Sequence, residues 1–301
     1  MEQFFSNPFL FGEEILNRAH IFAGPWLDRL MLAVTSLGSE IFYLLALPLL
    51  YWCWDRKKAL YTGAAFLVAI SLNDIMKTVF QHPRPDPAKL LPGIQELAAR
   101  YSPKSPGFPS GHAQGSISFW GALAVTAHNR TAWAVCAVPI LLVSYSRLYL
   151  GVHFAGDVLF GLLMGLACLA LVIPAANLVG RHLRRFHAAA VIAAALLLPA
   201  AVVILLPGDR LANNMGTISG FLVGAYLAEN RIFFGERNRP VAQIVKYAVG
   251  IAGLAAIRFG LKAALPDLAV AGFFRYWLIG AWVSIGAPYV FSRISALRGE
   301  T

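Results

Sequence analysis

Apolar stretches long enough to cross a bilayer recur along almost the whole chain, and they leave it few ways to fold. A helix needs about 20 such residues to span the hydrocarbon core. By that measure spans are predicted over 29–53, 58–80, 110–128, 132–150, 154–178, 187–206, 212–228, 243–265 and 272–294, the seventh being the shortest and weakest. Charged residues make up 13% of the chain, about half the share found in soluble domains. In hydrocarbon every backbone polar group must be satisfied inside the protein, which a helix does by itself. The expected fold is therefore all-α, a polytopic membrane helix bundle.

Ahead of the first span, the segment 8–22 mixes Phe9, Leu10, Phe11, Ile15 and Leu16 with Glu13, Glu14, Asn17 and Arg18. This pattern suits a helix lying in the membrane interface. No basic stretch followed by a cleavage site precedes it, so no cleaved signal peptide is expected. The formal net charge of +10 raises the question of nucleic acid, and its placement answers it. Basic residues gather in alternate loops: Arg56 to Lys58, Arg130, Arg181 to Arg185, Arg231 to Lys246, then Arg293 and Arg298. Such clustering orients a membrane protein and marks that side as cytoplasmic. Nucleic acid is not an expected partner; membrane lipids are. Cys53, Cys136 and Cys168 lie inside predicted spans without CxxC spacing, which argues for apolar packing and against a disulfide framework or a zinc knuckle.

The long polar connection 81–109 is proline-rich and falls on the side opposite the basic loops. Long loops in compact proteins tend to carry function, and three segments at this membrane face attract attention. In Lys77-Thr-Val-Phe-Gln-His-Pro-Arg84-Pro85, Pro83 forces the helix to stop just before it. An ammonium and a planar guanidinium are left at the helix end, a pair suited to phosphate oxygens. Interfacial snorkelling explains the same two residues equally well. In Pro109-Ser110-Gly111-His112, a serine at the N-cap position and a glycine open the third span. There, free N–H groups and the helix dipole favour an anion, although an ordinary cap beside an interfacial histidine is the commoner situation. In Ser146-Arg147-Leu-Tyr-Leu-Gly-Val-His153-Phe-Ala-Gly-Asp157, the histidine and the aspartate are four apart and share one helical face. A carboxylate so placed can hold an imidazole in one tautomer and stabilise its cation. An ionisable group entering a membrane helix is itself a pointer to function, while a purely structural His–Asp pair is the alternative.

Taken together, Lys77 with Arg84-Pro85, Pro109-Ser110-Gly111-His112, and Ser146-Arg147 with His153 and Asp157 resemble the three signatures of the type 2 phosphatidic acid phosphatase (PAP2) superfamily. That superfamily also includes vanadium haloperoxidases and glucose-6-phosphatases. The resemblance implies that Lys77, Arg84, Ser110, the Gly111 N–H and Arg147 bind the phosphate. It further implies that His153 attacks phosphorus, that Asp157 orients it, and that His112 protonates the departing alkoxide. No metal and no cofactor enter this scheme; protein cations stand where other enzymes use a metal. The implied layout is a PAP2-like catalytic core of about six spans over 29–206, behind an interfacial segment 1–28. About three further spans follow over 207–301, with no recognised motif. Two spans before the first signature, together with Leu37-Gly-Ser-Glu-Ile-Phe-Tyr43 and Tyr51-Trp-Cys-Trp54, look similar to sphingosine-phosphate phosphatases.

Asp74, one helical turn before Lys77 and inside the membrane, is placed either to pair with that lysine and fix its direction or to bond to Asn73 or a neighbouring helix. Glu40 and Arg258 are further intramembrane ionisable groups of open role. Two histidines and an aspartate can bind zinc, but three cations around them favour an anion instead. The expected function is a metal-independent lipid-phosphate or diphosphate phosphatase acting through a phosphohistidine. Its site would face the periplasm or exterior of a bacterial inner membrane. A lipid phosphotransferase with the same intermediate, and a lipid transporter on the same scaffold, are the rival readings.

Overall fold

The computed structural model describes residues 2–229, 231–266 and 268–294, and among them it is helical with no strand. The helices are α1 (Glu2–Phe5), α2 (Pro8–Phe11), α3 (Glu14–Ala19), α4 (Pro25–Ser36), α5 (Glu40–Cys53), α6 (Arg56–Phe80), α7 (Pro92–Tyr101), α8 (Gly111–Ala127), α9 (Arg130–Tyr149), α10 (Ala155–His182), α11 (Ala188–Leu205), α12 (Asp209–Ala228), α13 (Pro240–Ala264), α14 (Ala269–Ala281) and α15 (Ala287–Arg293). A five-residue π-helix, Trp282–Gly286, joins the last two. By length and composition α6, α9, α10, α11, α13 and the stretch Ala269–Arg293 qualify as membrane spans, and α4 with α5 qualifies as one bent pair.

Every predicted span has a helix, with one correction to its shape. The first, expected as a single helix over 29–53, is broken between α4 and α5 and bent by 51°. The last N–H groups of α4 tighten into i→i+3 bonds, with Leu37, Gly38 and Ser39 donating to Val34, Thr35 and Ser36. The Ser39 hydroxyl then accepts from Phe42 N–H and restarts the helix. Helices α8 and α12 fall outside the qualifying set, α8 with 17 residues. Their faces carry His112, Gln114 and Ser116, and Asn213 and Asn214, polar groups that lower hydropathy.

The chain forms two compact units, Met1–Tyr43 with Val68–Ile173, and Leu44–Leu67 with Pro174–Thr301. In the first unit the 8–22 segment, expected as one helix, forms two short ones, α2 and α3, preceded by α1. Phe11 and Leu16 are buried in a cluster with Leu90, Ile94, Ala98, Phe108 and Phe154. This cluster fixes the 81–109 connection from beneath, because α7 presents Ile94 and Ala98 to it. On α10, a Cβ at Gly161 would lie 2.6 Å from Ser110 O, and one at Gly165 would lie 2.3 Å from Ile117 Cγ2. Only glycine lets α10 approach the start of α8 so closely.

In the second unit, α12 packs along α14. A Cβ at Gly216 or Gly220 would meet the carbonyl of Phe273 or Trp277 at 2.2 Å or 1.9 Å. A small-residue stripe of this kind gains from backbone proximity what lipid-facing side chains cannot provide. Lys246 is fully buried. It donates to Gly235 O at 2.8 Å, Glu236 O at 3.1 Å and Asn238 Oδ1 at 2.7 Å. All three ammonium donors are thus used, which is the condition for keeping a buried lysine.

Candidate active site

Helix α6 carries Lys77 in its last turn and stops at Phe80. Gln81 turns the chain out at a φ of 49°, and His82 and Pro83 follow. The two ends of the polar connection are then tied together by a bond from Gly107 N–H to His82 O of 2.8 Å. Lys77, 7% exposed, donates to Pro106 O and Gly107 O at 2.5 and 3.1 Å. Arg84 donates through Nε to Ser105 O at 2.8 Å and through Nη1 to Val152 O at 2.8 Å. Its Nη1 also lies 3.0 Å from His153 Nε2.

That last contact fixes the state of the imidazole. A guanidinium has no acceptor capacity, so Nε2 must present its lone pair, and the ring proton sits on Nδ1. Nδ1 faces Asp157 Oδ2 at 3.3 Å, and the same oxygen accepts from Phe154 N–H at 2.9 Å. The turn between α9 and α10 that sets this up contains Gly151, at a φ of 65°. A side chain there would be strained and would also press on Ile94 at 2.5 Å. Burial, then the charges of Arg84, Arg147, Lys77 and His112, hold the His153 imidazole well below the ordinary 6.5. The ring is thus kept neutral and nucleophilic.

The other predicted residues converge on the same place. Ser110 occupies the N-cap position of α8, but its side chain does not cap. Its buried Oγ has no hydrogen-bond partner among the described residues, and its N–H donates to Asp157 O at 2.9 Å. Gly111 begins α8, where the N–H groups of the first turn lack helical partners. His112 follows it and lies against the α4–α5 break, since a Cβ on Gly38 would come within 2.8 Å of its Cδ2. Arg147, 4% exposed, donates through Nη1 to Thr35 Oγ1 at 2.6 Å. Its Nε is buried without a partner among the described residues. Asp74 is half-buried one turn before Lys77, and its carbonyl accepts from the Thr78 hydroxyl at 3.0 Å. No group of three His, Cys, Asp or Glu side chains among the described residues is arranged to hold a metal ion.

What the arrangement offers is a set of N–H, hydroxyl and cationic donors around the His153 imidazole, whose Nε2 lone pair is held by Arg84 Nη1. Such a set can bind a tetrahedral oxyanion and, once the oxyanion takes that donor, present a nitrogen to its central atom. Residues 58–181 match the PAP2 superfamily, and residues 212–299 match the PAP2 superfamily phosphatase transmembrane extension. Between them the two ranges take in well over half of the chain.

The chain belongs to the PAP2 superfamily.

Among its relatives is phosphatidylglycerophosphatase B of Bacillus subtilis, 29% identical over 53% of this chain and 80% of that protein. Sphingosine-1-phosphate phosphatase 2 of Mus musculus is 27% identical over 48% of this chain and 41% of its own length. The undecaprenyl-diphosphatase of Sulfolobus acidocaldarius is 31% identical over 46% of this chain and 66% of that protein. All three are lipid phosphatases by name. The chain thus spans most of the Bacillus relative and less than half of the mouse one.

Three residues of this PAP2 chain, Asn73 and Gln114 buried and Thr35 half-buried, were not singled out as part of the site by sequence reasoning. Asn73, on α6, donates to Pro109 O at 3.2 Å and to Gln114 Oε1 at 2.7 Å. Gln114 in turn donates to Ala69 O at 2.8 Å. The turn carrying Ser110 and Gly111 is thereby clamped to the helix that carries Lys77. The third, Thr35, holds Arg147 yet precedes the PAP2 match, which begins at residue 58. The available signal was a pair of amides within predicted spans, where an unpaired amide is costly. Replacing Asn73 by leucine leaves Pro109 O and Gln114 Oε1 unpaired and is expected to cost about 1–3 kcal/mol. Thermal unfolding of the purified protein in detergent measures that loss, and inhibition by vanadate should weaken with it. An unchanged midpoint and an unchanged vanadate affinity would remove the clamp from this account.

Proposed function

We propose that this protein is a metal-independent phosphatase that hydrolyses a lipid phosphate or diphosphate at the extracytoplasmic membrane face through a phosphohistidine. The observation that carries the reading is the pairing at His153: a guanidinium donating to Nε2 and a carboxylate facing Nδ1. Phosphate oxygens would take the Arg84 donor now spent on Nε2, and would draw on Lys77, Ser110 Oγ, Gly111 N–H and Arg147. The lone pair released on Nε2 attacks phosphorus in line as the P–O bond to the lipid breaks. His112 gives its proton to the departing alkoxide. The imidazolium formed at His153 keeps its Nδ1 proton toward Asp157. Water then attacks phosphorus, loses a proton to His112 and breaks the P–N bond, which returns both histidines to their starting states. The binding groups and reacting histidines all belong to the proposed catalytic core, 29–206.

The membrane location selects the substrate class. A phosphate attached to a lipid sits at the water interface where the 81–109 connection and the starts of α8 and α10 lie on the predicted topology. The relatives' names cover a glycerolipid phosphate, a sphingoid phosphate and a polyprenyl diphosphate, and a phosphate on an apolar tail is common to them. The extracytoplasmic orientation is supported by the basic residues of the opposite loops.

The test is phosphate release by purified protein across a panel of such lipids, with quenching in alkaline detergent to trap a phosphoenzyme. A phosphohistidine is labile to acid and stable to base, so its label should survive alkali and vanish in acid. Phosphate release with no label on the chain would overturn the covalent route, and no release from any lipid would overturn the phosphatase reading. Transfer to an added alcohol in preference to water would favour a phosphotransferase. The lowered His153 basicity adds a pH prediction. In kcat/KM, which reports the free enzyme, the acid limb should fall with an apparent pKa below the ordinary 6.5. The sign follows from the nucleophile: only the neutral ring attacks, and its neighbours resist protonation. A limb above that value would mean that the titrating group is not His153.

A further inference from the structure

The second unit contains a cleft of about 500 Å³ where the end of α12 meets α15. Its lining combines polar side chains, Arg231, Arg293, Tyr289 and Ser292, with the apolar side chains of Leu227, Ile232 and Ile285. We propose that this cleft is a binding site for the headgroup of an anionic phospholipid, separate from the catalytic centre and within the transmembrane extension.

Charge comes first. Among the described residues no carboxylate lines the cleft, and neither arginine has an ion-pair partner. Two guanidiniums facing one space repel each other unless an anion lies between them. Arg293 is also directed: its guanidinium lies 4.9 Å from the centre of the Tyr289 ring, a cation–π contact that limits the volume it samples. The Ser292 hydroxyl donates to Tyr289 O at 2.7 Å, so its proton is already engaged within the helix. The anion is therefore met mainly by the two forks, which suit phosphate.

The apolar part of the lining decides between sources of phosphate. A free inorganic ion gains nothing from Leu227, Ile232 and Ile285, whereas a phospholipid lays its upper acyl carbons there. Position agrees, because Arg231 and Arg293 belong to the basic loops that the positive-inside rule puts on the cytoplasmic side. Basic pockets between spans on that side are suited to anionic headgroups.

The experiment follows thermal unfolding of the full-length protein in a neutral detergent, with vanadate present to occupy the catalytic centre. Dioleoyl phosphatidylglycerol, a phosphodiester, is titrated in, alongside phosphatidylcholine and inorganic phosphate. A rise in the midpoint of several degrees is expected with phosphatidylglycerol only. The double variant R231Q/R293Q should need about thirty-fold more of it for the same rise. Its midpoint without lipid reports whether it folds, and Tyr289→Leu, which keeps both charges, should show a smaller weakening. An equal response in the double variant would place the lipid elsewhere and overturn the proposal. An equal rise with inorganic phosphate would reduce the cleft to a simple anion site, and an equal rise with phosphatidylcholine would remove the charge selectivity. Either would overturn it too. None of these outcomes depends on catalysis, so the phosphatase reading can fail without affecting them.

Discussion

Replacing His153 by alanine is expected to lower the rate of phosphate release from a lipid phosphate by about 10⁴-fold or more. Residues that act as one catalytic unit fail together, and removing the attacking atom costs on this scale even when all binding groups remain. Here every donor of the anion site comes from another residue, so substrate binding should survive. The side chain is 1% exposed, and alanine leaves a small cavity and an Asp157 without its imidazole partner. An unfolding midpoint measured beside the rate keeps a folding failure from being read as a catalytic one. A folded variant within tenfold of the wild-type rate would exclude His153 as the nucleophile.

Asp157→Asn should lower kcat by about 10²- to 10⁴-fold while moving KM much less, by analogy with loss of the orienting carboxylate in serine hydrolases. Asp157 Oδ2 now serves two donors, His153 Nδ1–H and Phe154 N–H. An amide oxygen in that position can keep both bonds, with the NH₂ taking the place of Oδ1, which is buried without a partner among the described residues. What the substitution removes is the negative charge that stabilises the imidazolium formed during attack. Separate kcat and KM values check this; a kcat within threefold of wild type would leave Asp157 with a merely structural part.

Hydropathy was sufficient to locate a helix for each predicted span, because a membrane span is a property of local composition and the backbone must satisfy itself there. It could not show that the first span breaks between Ser36 and Glu40, since Leu37, Gly38 and Ser39 are compatible with a continuous helix in sequence terms. The break depends on i→i+3 bonding and on His112 packing against Gly38. The N-terminal segment was read correctly as unable to span. Its burial of Phe11 and Leu16 against the 81–109 connection is a long-range contact that no helical periodicity reveals.

The candidate site divides in the same way. By itself the sequence determined that three cations, two histidines, a Ser-Gly turn and an aspartate occur in three segments near one membrane face. The spacing of His153 and Asp157 further placed them on one side of a helix, since i and i+4 are neighbours there. Only the tertiary structure decided which way the imidazole is protonated, because that depends on Arg84 reaching across 69 positions of chain to Nε2. It also decided what holds the cradle: Asn73 and Gln114 tying the Ser110 turn to the lysine helix, and Thr35 holding Arg147. Hydrogen bonds between distant segments are set by where helices come to rest against one another, and sequence spacing carries no record of that.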